Sequence, residues 1–78
     1  MREKIIEQLN GAIESSHLQV EVQGNHCTIT IVSAAFEGLR QVQRQQRVYA
    51  CLQELISSGE LHAVNINALA PDEWATGS

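Results

Sequence analysis

Along the first fifteen residues, Ile5, Ile6, Leu9, Ala12 and Ile13 recur at the three- and four-residue spacing of a helix that buries one face, with Glu3, Glu7 and Glu14 around them. The spacing predicts a first amphipathic helix over residues 2–15, broken by Ser15-Ser16. The period then changes to two. Leu18, Val20 and Val22 alternate with Gln19 and Glu21, and after Gln23-Gly24-Asn25 the alternation resumes as Cys27, Ile29 and Ile31 against His26, Thr28 and Thr30. Two half-buried strands joined by a turn-forming pair predict an antiparallel hairpin. Residues 33–38 read as a connection anchored by Phe36, after which helical periodicity returns over 40–57 through Val48, Cys51, Leu52, Leu55 and Ile56. Gly59 is placed to end that helix with a left-handed cap. Residues 61–69 alternate again, with His62, Val64, Ile66 and Ala68 on one side and Asn65 and Asn67 on the other. Pro71 suits the first position of a short terminal helix, Asp72 and Glu73 complement its dipole, and Trp74 is available to dock on the core. Thr76-Gly77-Ser78 reads as a loose tail.

The predicted order is α-β-β-α-β-α, an α+β fold with a three-stranded mixed sheet and its helices on one face. Strands two and three are separated by a helix, and a helical crossover makes the strands it joins run parallel. Their starts therefore lie at the same end of the sheet. His26 begins one and His62 the other.

With 78 residues, 44% apolar and 18% charged, the chain has the composition of one folded domain, spanning 1–78 with its core over about 2–75. No window approaches the roughly 20 apolar residues of a membrane helix, and Met1-Arg2-Glu3-Lys4 runs into an amphipathic segment, so a cytoplasmic protein without membrane attachment is expected. In a reducing compartment Cys27 and Cys51 are expected as free thiols, Cys51 in the core. The net charge of −4 argues against general affinity for nucleic acid. Three of the five basic residues, however, Arg40, Arg44 and Arg47, follow one another at spacings of four and three, which predicts a basic stripe facing solvent on one helix. Such a stripe either shields the helix or meets phosphate or a partner's carboxylates.

His26, Cys27 and His62 converge on one edge, and imidazole and thiolate are ligand types favoured by zinc, iron and iron–sulfur clusters. Two or three ligands leave a site incomplete, since a closed structural zinc site takes four. The same residues also have a purely structural reading: a histidine at a strand start hydrogen-bonds a carbonyl, and Cys27 shares the parity of Ile29 and Ile31. His17 reads as an exposed linker residue. Phe36, Tyr49 and Trp74 are the aromatic residues and are expected in the core or at its rim, leaving no stacking platform for RNA. There is no P-loop, H-E-x-x-H, G-x-S-x-G or G-x-G-x-x-G, and the chain is read as a non-enzymatic binding module.

Val32-Ser33-Ala34-Ala35-Phe36-Glu37-Gly38, Gln45-Gln46-Arg47-Val48-Tyr49, Leu61-His62-Ala63-Val64 and Pro71-Asp72-Glu73-Trp74 together resemble the BolA family, in particular its short IbaG-like bacterial branch. The resemblance implies a fold similar to the class II KH domain. It implies a partner as well: a monothiol glutaredoxin, with which the chain would form a heterodimer sharing a [2Fe-2S] cluster in cluster trafficking or in iron and stress regulation. The glutaredoxin and glutathione would supply sulfur, and this chain histidine. His62 matches the family's C-terminal ligand; His26 matches the loop ligand, with adjacent Cys27 as the alternative. No cofactor is expected in the isolated protein, which would be a monomer or weak homodimer. A second implied role is DNA-binding transcriptional regulation through the region of Phe36 to Tyr49. The G-x-x-G clamp of nucleic-acid KH domains is absent, as Gly38 has no second glycine three residues on. Ala70 replaces the family's Ser or Thr before Pro71, which removes a helix cap worth about 1 kcal/mol.

Overall fold

The computed structural model describes residues 2–77, with side chains as far as Ala75. The order of elements is α1 (Arg2–Ala12), β1 (His17–Gln23), β2 (His26–Val32), a 3-10 turn (Ala34–Phe36), α2 (Gln41–Cys51), α3 (Gln53–Ser57), β3 (Ala63–Leu69) and α4 (Pro71–Gly77). This is the predicted α+β plan. The first helix ends three residues earlier than the periodicity suggests, although Ile13 still donates to the Leu9 carbonyl and is buried. The second helix is split. Leu52 closes α2 with a tight bond from its N–H to the Tyr49 carbonyl, and α3 begins after it. No Gly or Pro marks that break, so the apolar period runs through it unaltered. The terminal helix continues through Gly77, further than the expected short turn, and Ser78 of the predicted tail lies outside the described residues.

The sheet order is β1-β2-β3, with β1 antiparallel to β2 and β2 parallel to β3. Gly24 at φ +60 takes the first central position of the two-residue hairpin loop, where a left-handed residue matches the twist of the strands. Register places Val20, Ile29 and Ile66 in one row and Leu18, Ile31 and Ala68 in the next, all on the face covered by α1 and α2. Ile5, Leu9, Phe36, Val48, Leu52 and Leu55 complete that core. Gln19, Thr30 and Asn67, then Glu21, Thr28 and Asn65, form the rows of the opposite, polar face. A Schellman motif ends α3 as Gly59 predicted: Gly59 is at φ +83 and donates to Ile56, and Glu60 donates to Leu55.

The predicted solvent-facing arginine stripe does not exist as such. Arg44 is 5% exposed; its guanidinium donates to the Leu39 carbonyl (2.9 Å), the Ala68 carbonyl (3.1 Å) and Glu73 Oε1 (2.5 Å). The angular position explains this, because Arg44 falls on the same helical face as Val48, Cys51 and Leu52. Leu69 accepts from Ser33 beyond β2, so the alternate carbonyls of β3, including Val64 and Ala68, point to the free edge of the sheet. Arg44 covers one, and the Tyr49 hydroxyl donates to the other at 3.2 Å. Glu73 has a further role: its Oε1 accepts from the Ala70 N–H at 2.8 Å, supplying half of a capping box where Ala70 has no capping side chain. Trp74 stacks on His17 with centroids 4.7 Å apart, which corrects the reading of His17 as an exposed linker. Strand pairing reaches back to His17 opposite Val32, and α4 brings the indole over it.

Hydrogen bonds from Arg44 hold the Glu73 carboxyl below its ordinary range. A depressed folded-state value stabilises above the unfolded value, and that contribution is lost as pH falls through the folded value. Denaturant midpoints measured from neutral pH down through the carboxylate range will show native protein more stable than Glu73→Gln at neutrality, with the gap closing in acid. Arg44→Met, which leaves two carbonyls without their donor, will cost about 2–3 kcal/mol at neutral pH.

Candidate functional site

Parallel pairing sets His26 opposite Ala63, so His62 stands one residue away, opposite Asn25. From strand spacing and rise, the two histidine backbones are about 6 Å apart. The Asn25 carbonyl accepts from both His62 N–H (3.0 Å) and Ala63 N–H (3.4 Å), which fixes the hairpin tip to the start of β3. His62 lies in the bend before β3, and its preceding residue Leu61 is buried and donates to the Leu55 carbonyl. Both histidines are exposed. His26 follows the outward parity of Thr28 and lines, with Glu21, Gln23 and Thr28, a depression of about 110 Å³.

Cys27 is brought to the same end but not to the same surface. It is 1% exposed, packed with the core, and burial pushes its thiol above the ordinary range. A thiolate ligand there would require core side chains to move. Cys51 is at the rim of the core and not in its centre: half-buried, with its Sγ donating to the Arg47 carbonyl at 3.3 Å and its thiol likewise raised, chiefly by burial. Arg40 and Arg47 remain exposed and have no ion pair among the described residues, whereas Arg44 is withdrawn into the fold. Among the described residues no group of three or more His, Cys, Asp or Glu is placed to hold a metal ion. A larger hollow of about 360 Å³ lies at the opposite end of the sheet, lined by Glu14, Ser15, Ser16, Ala34 and Pro71, and brings together none of the candidate residues.

The BolA-like protein family matches residues 7–73. The chain belongs to the BolA family. Among BolA-related sequences, the acid stress protein IbaG of Escherichia coli K12 is 37% identical over 67 residues, covering 86% of this chain and 80% of IbaG. The DNA-binding transcriptional regulator BolA of Haemophilus influenzae is 41% identical over 66 residues, covering 81% of this chain and 63% of that protein. BolA1 from Arabidopsis thaliana superposes with a TM-score of 0.85 at 32% identity, covering 92% of this chain and 93% of the other. The BolA fold, with its parallel β2–β3 pair, is the frame that brings the backbones of His26 and His62 to one end of the sheet. No helix among the described residues is long and apolar enough to cross a membrane.

Burial distinguishes the two thiols. With a small alkylating reagent under native conditions, Cys51 will be modified first and Cys27 only at the rate of opening or unfolding, as followed by peptide mass spectrometry. Equal rates would show that Cys27 is accessible at the surface.

Proposed function

We propose that this chain is a non-enzymatic adaptor that presents His26 and His62 as two imidazole ligands to a [2Fe-2S] cluster shared with a monothiol glutaredoxin and glutathione. The observation that supports it most directly is the corner formed at Asn25. Two exposed imidazoles come from strand starts that are tied to one carbonyl, while the neighbouring thiol is shut into the core. The fit is that of half a site. Neutral imidazoles are competent iron ligands, the described residues add no third, and thiolates from outside would complete the set. The cluster is cargo on this reading and is retained only while the partner is present.

The residues of this chain have distinct tasks. The Asn25 carbonyl and the buried Leu61 anchor the segment that carries His62; Tyr49 holds β3 at Val64; His26 is fixed by the hairpin. Preference for His26 over Cys27 rests on exposure, since a buried neutral thiol must both deprotonate and move before it binds metal. Ligand histidines bind metal in their neutral form, so acid weakens such a site. That direction agrees with the name of the acid stress relative. The DNA-binding reading draws on the H. influenzae relative, but the withdrawal of Arg44 leaves Arg47 on α2 and Arg40 at its N-cap as the exposed cations of that region, on a chain of net charge −4.

Anaerobic cluster assembly with a monothiol glutaredoxin and glutathione, followed by visible absorption and circular dichroism, tests the proposal. Native protein will convert the glutaredoxin's own spectrum to a distinct one; His62→Ala will abolish the change, His26→Ala will alter or weaken it, and Cys27→Ala will leave it. A spectrum insensitive to native protein would remove the proposal, and a response lost in Cys27→Ala but kept in His26→Ala would transfer the second ligand to the thiol.

A further inference from the structure

β1 is an outer strand of the sheet, and part of its backbone points away from β2. The two-residue loop closes on the pair Gln23–His26, which in such a hairpin exchanges both of its bonds. His17, Gln19, Glu21 and Gln23 therefore face β2, and Leu18, Val20 and Val22 face outward. Arg2, in the first turn of α1, donates its Nε to the Val20 carbonyl at 2.9 Å, and Val20 is 2% exposed. Among the described residues nothing else bonds the outward groups of these three. The Val20 N–H is thus a covered backbone donor without a protein partner, a costly arrangement that is rare in native folds.

The other edge of the sheet is closed more firmly. On β3 the outward carbonyls of Val64 and Ala68 are taken by Tyr49 and Arg44, and Arg44 is itself buried and fixed by Leu39 and Glu73. Arg2 is exposed and holds Val20 by one bond, so β1 is the edge that movement of a single side chain opens. An open strand edge is a template for another strand. A second copy of β1 fits it in one register. Antiparallel pairing centred on Val20 sets Val20 opposite itself and Leu18 opposite Val22, so all the outward donors and acceptors of both copies meet. Gln19 then stands opposite Glu21 of the second copy, an amide beside a carboxylate in the closer, non-hydrogen-bonded kind of pair, and half-buried Leu18 meets half-buried Val22. Glu21 is not set opposite itself. With β3 closed, the pairing ends at two copies.

We propose that the outer edge of β1 is a pairing surface for a second copy of this chain, held shut in the monomer by Arg2. The contact is isologous and centred on Val20, and Arg2 is its autoinhibitory cover, since pairing requires each copy to give up the bond from Arg2 to Val20. This goes beyond the adaptor reading and does not depend on it. The joined sheet has the order β3-β2-β1-β1-β2-β3, and His26 on β2 and His62 before β3 are not at the seam.

Sedimentation equilibrium of the full chain, with amide chemical shifts and exchange over a dilution series at physiological ionic strength, tests this. Native protein will be mainly monomeric, and Arg2→Ala will associate about tenfold or more tightly, because one bond on each copy no longer has to be broken. In concentrated Arg2→Ala the amides of Leu18, Val20 and Val22 will gain protection from exchange. Gln19, which is exposed, tests the register: Gln19→Lys will tighten the dimer by about threefold or more through Glu21, with or without Arg2→Ala, and Gln19→Glu will loosen it by a similar factor. His62→Ala added to Arg2→Ala will leave association unchanged. Arg2→Ala no more associated than native, shifts centred away from β1, Gln19 variants that move affinity in the same direction, or assemblies that grow beyond two copies would each overturn the proposal. So would protection of the same three amides by a monothiol glutaredoxin while the chain stays monomeric, which would give the edge to a foreign strand.

Discussion

Two strands that run in the same direction cannot be joined by a tight turn, and for β2 and β3 that restriction decides where most of the molecule lies. The chain leaves β2 at Val32, crosses the inner face as α2 and α3, and returns to start β3 beside the start of β2. The central strand thereby gains a covered face rich in β-branched residues, and α2 comes to lie along β3. It also makes the hairpin tip and the end of the crossover neighbours, joined at the Asn25 carbonyl. An antiparallel β3 would place its last residue, not its first, beside His26. The histidine corner is a product of strand direction.

Arg44 has a different position in this scheme. A crossover helix covers a sheet face easily, but an outer strand still has carbonyls pointing away from its neighbour, and in β3 one of them is at Ala68. An apolar residue at position 44 would leave that carbonyl and the Leu39 carbonyl without their donor, a cost that methylene packing does not offset. A guanidinium has enough donors to satisfy both and still pair with Glu73. The same carboxylate caps α4 at Ala70, so one buried cation connects the crossover helix, the outer strand and the terminal helix.

The strands were legible because their periods are clean and their parity is independent of distant contacts; Cys27 could be assigned to the core from Ile29 and Ile31 alone. The convergence of His26 and His62 was legible for a topological reason, as it needs only the order of elements and the crossover rule. Depth on a helix was harder. Spacing of four and three among the arginines suggests a stripe, but the intervals from Arg44 to Val48, Cys51 and Leu55 also fit the buried face, and that signal was available. Glu73 as partner was not, because nothing local brings residues 29 apart together. His17 was obscured likewise: its stacking partner comes from the opposite end of the chain. The break at Leu52 has no residue that announces it.

The number of ligands a fold supplies bears on what it does with a metal centre. A four-ligand cage closed within one chain favours retention, since every bond must be broken by the same molecule that made it. On the proposed reading, two imidazoles on anchored strand starts would provide direction without closure: the backbone bonds at Asn25 limit the motion of the segments that carry them, while the open positions would belong to whatever docks alongside. Affinity for the cluster is then set jointly by two weak contributions, one from histidine and one from the partner's own ligands. A change in either moves the equilibrium for transfer. The buried Cys27 fits this division, because a third ligand from the same chain would increase retention at the expense of exchange.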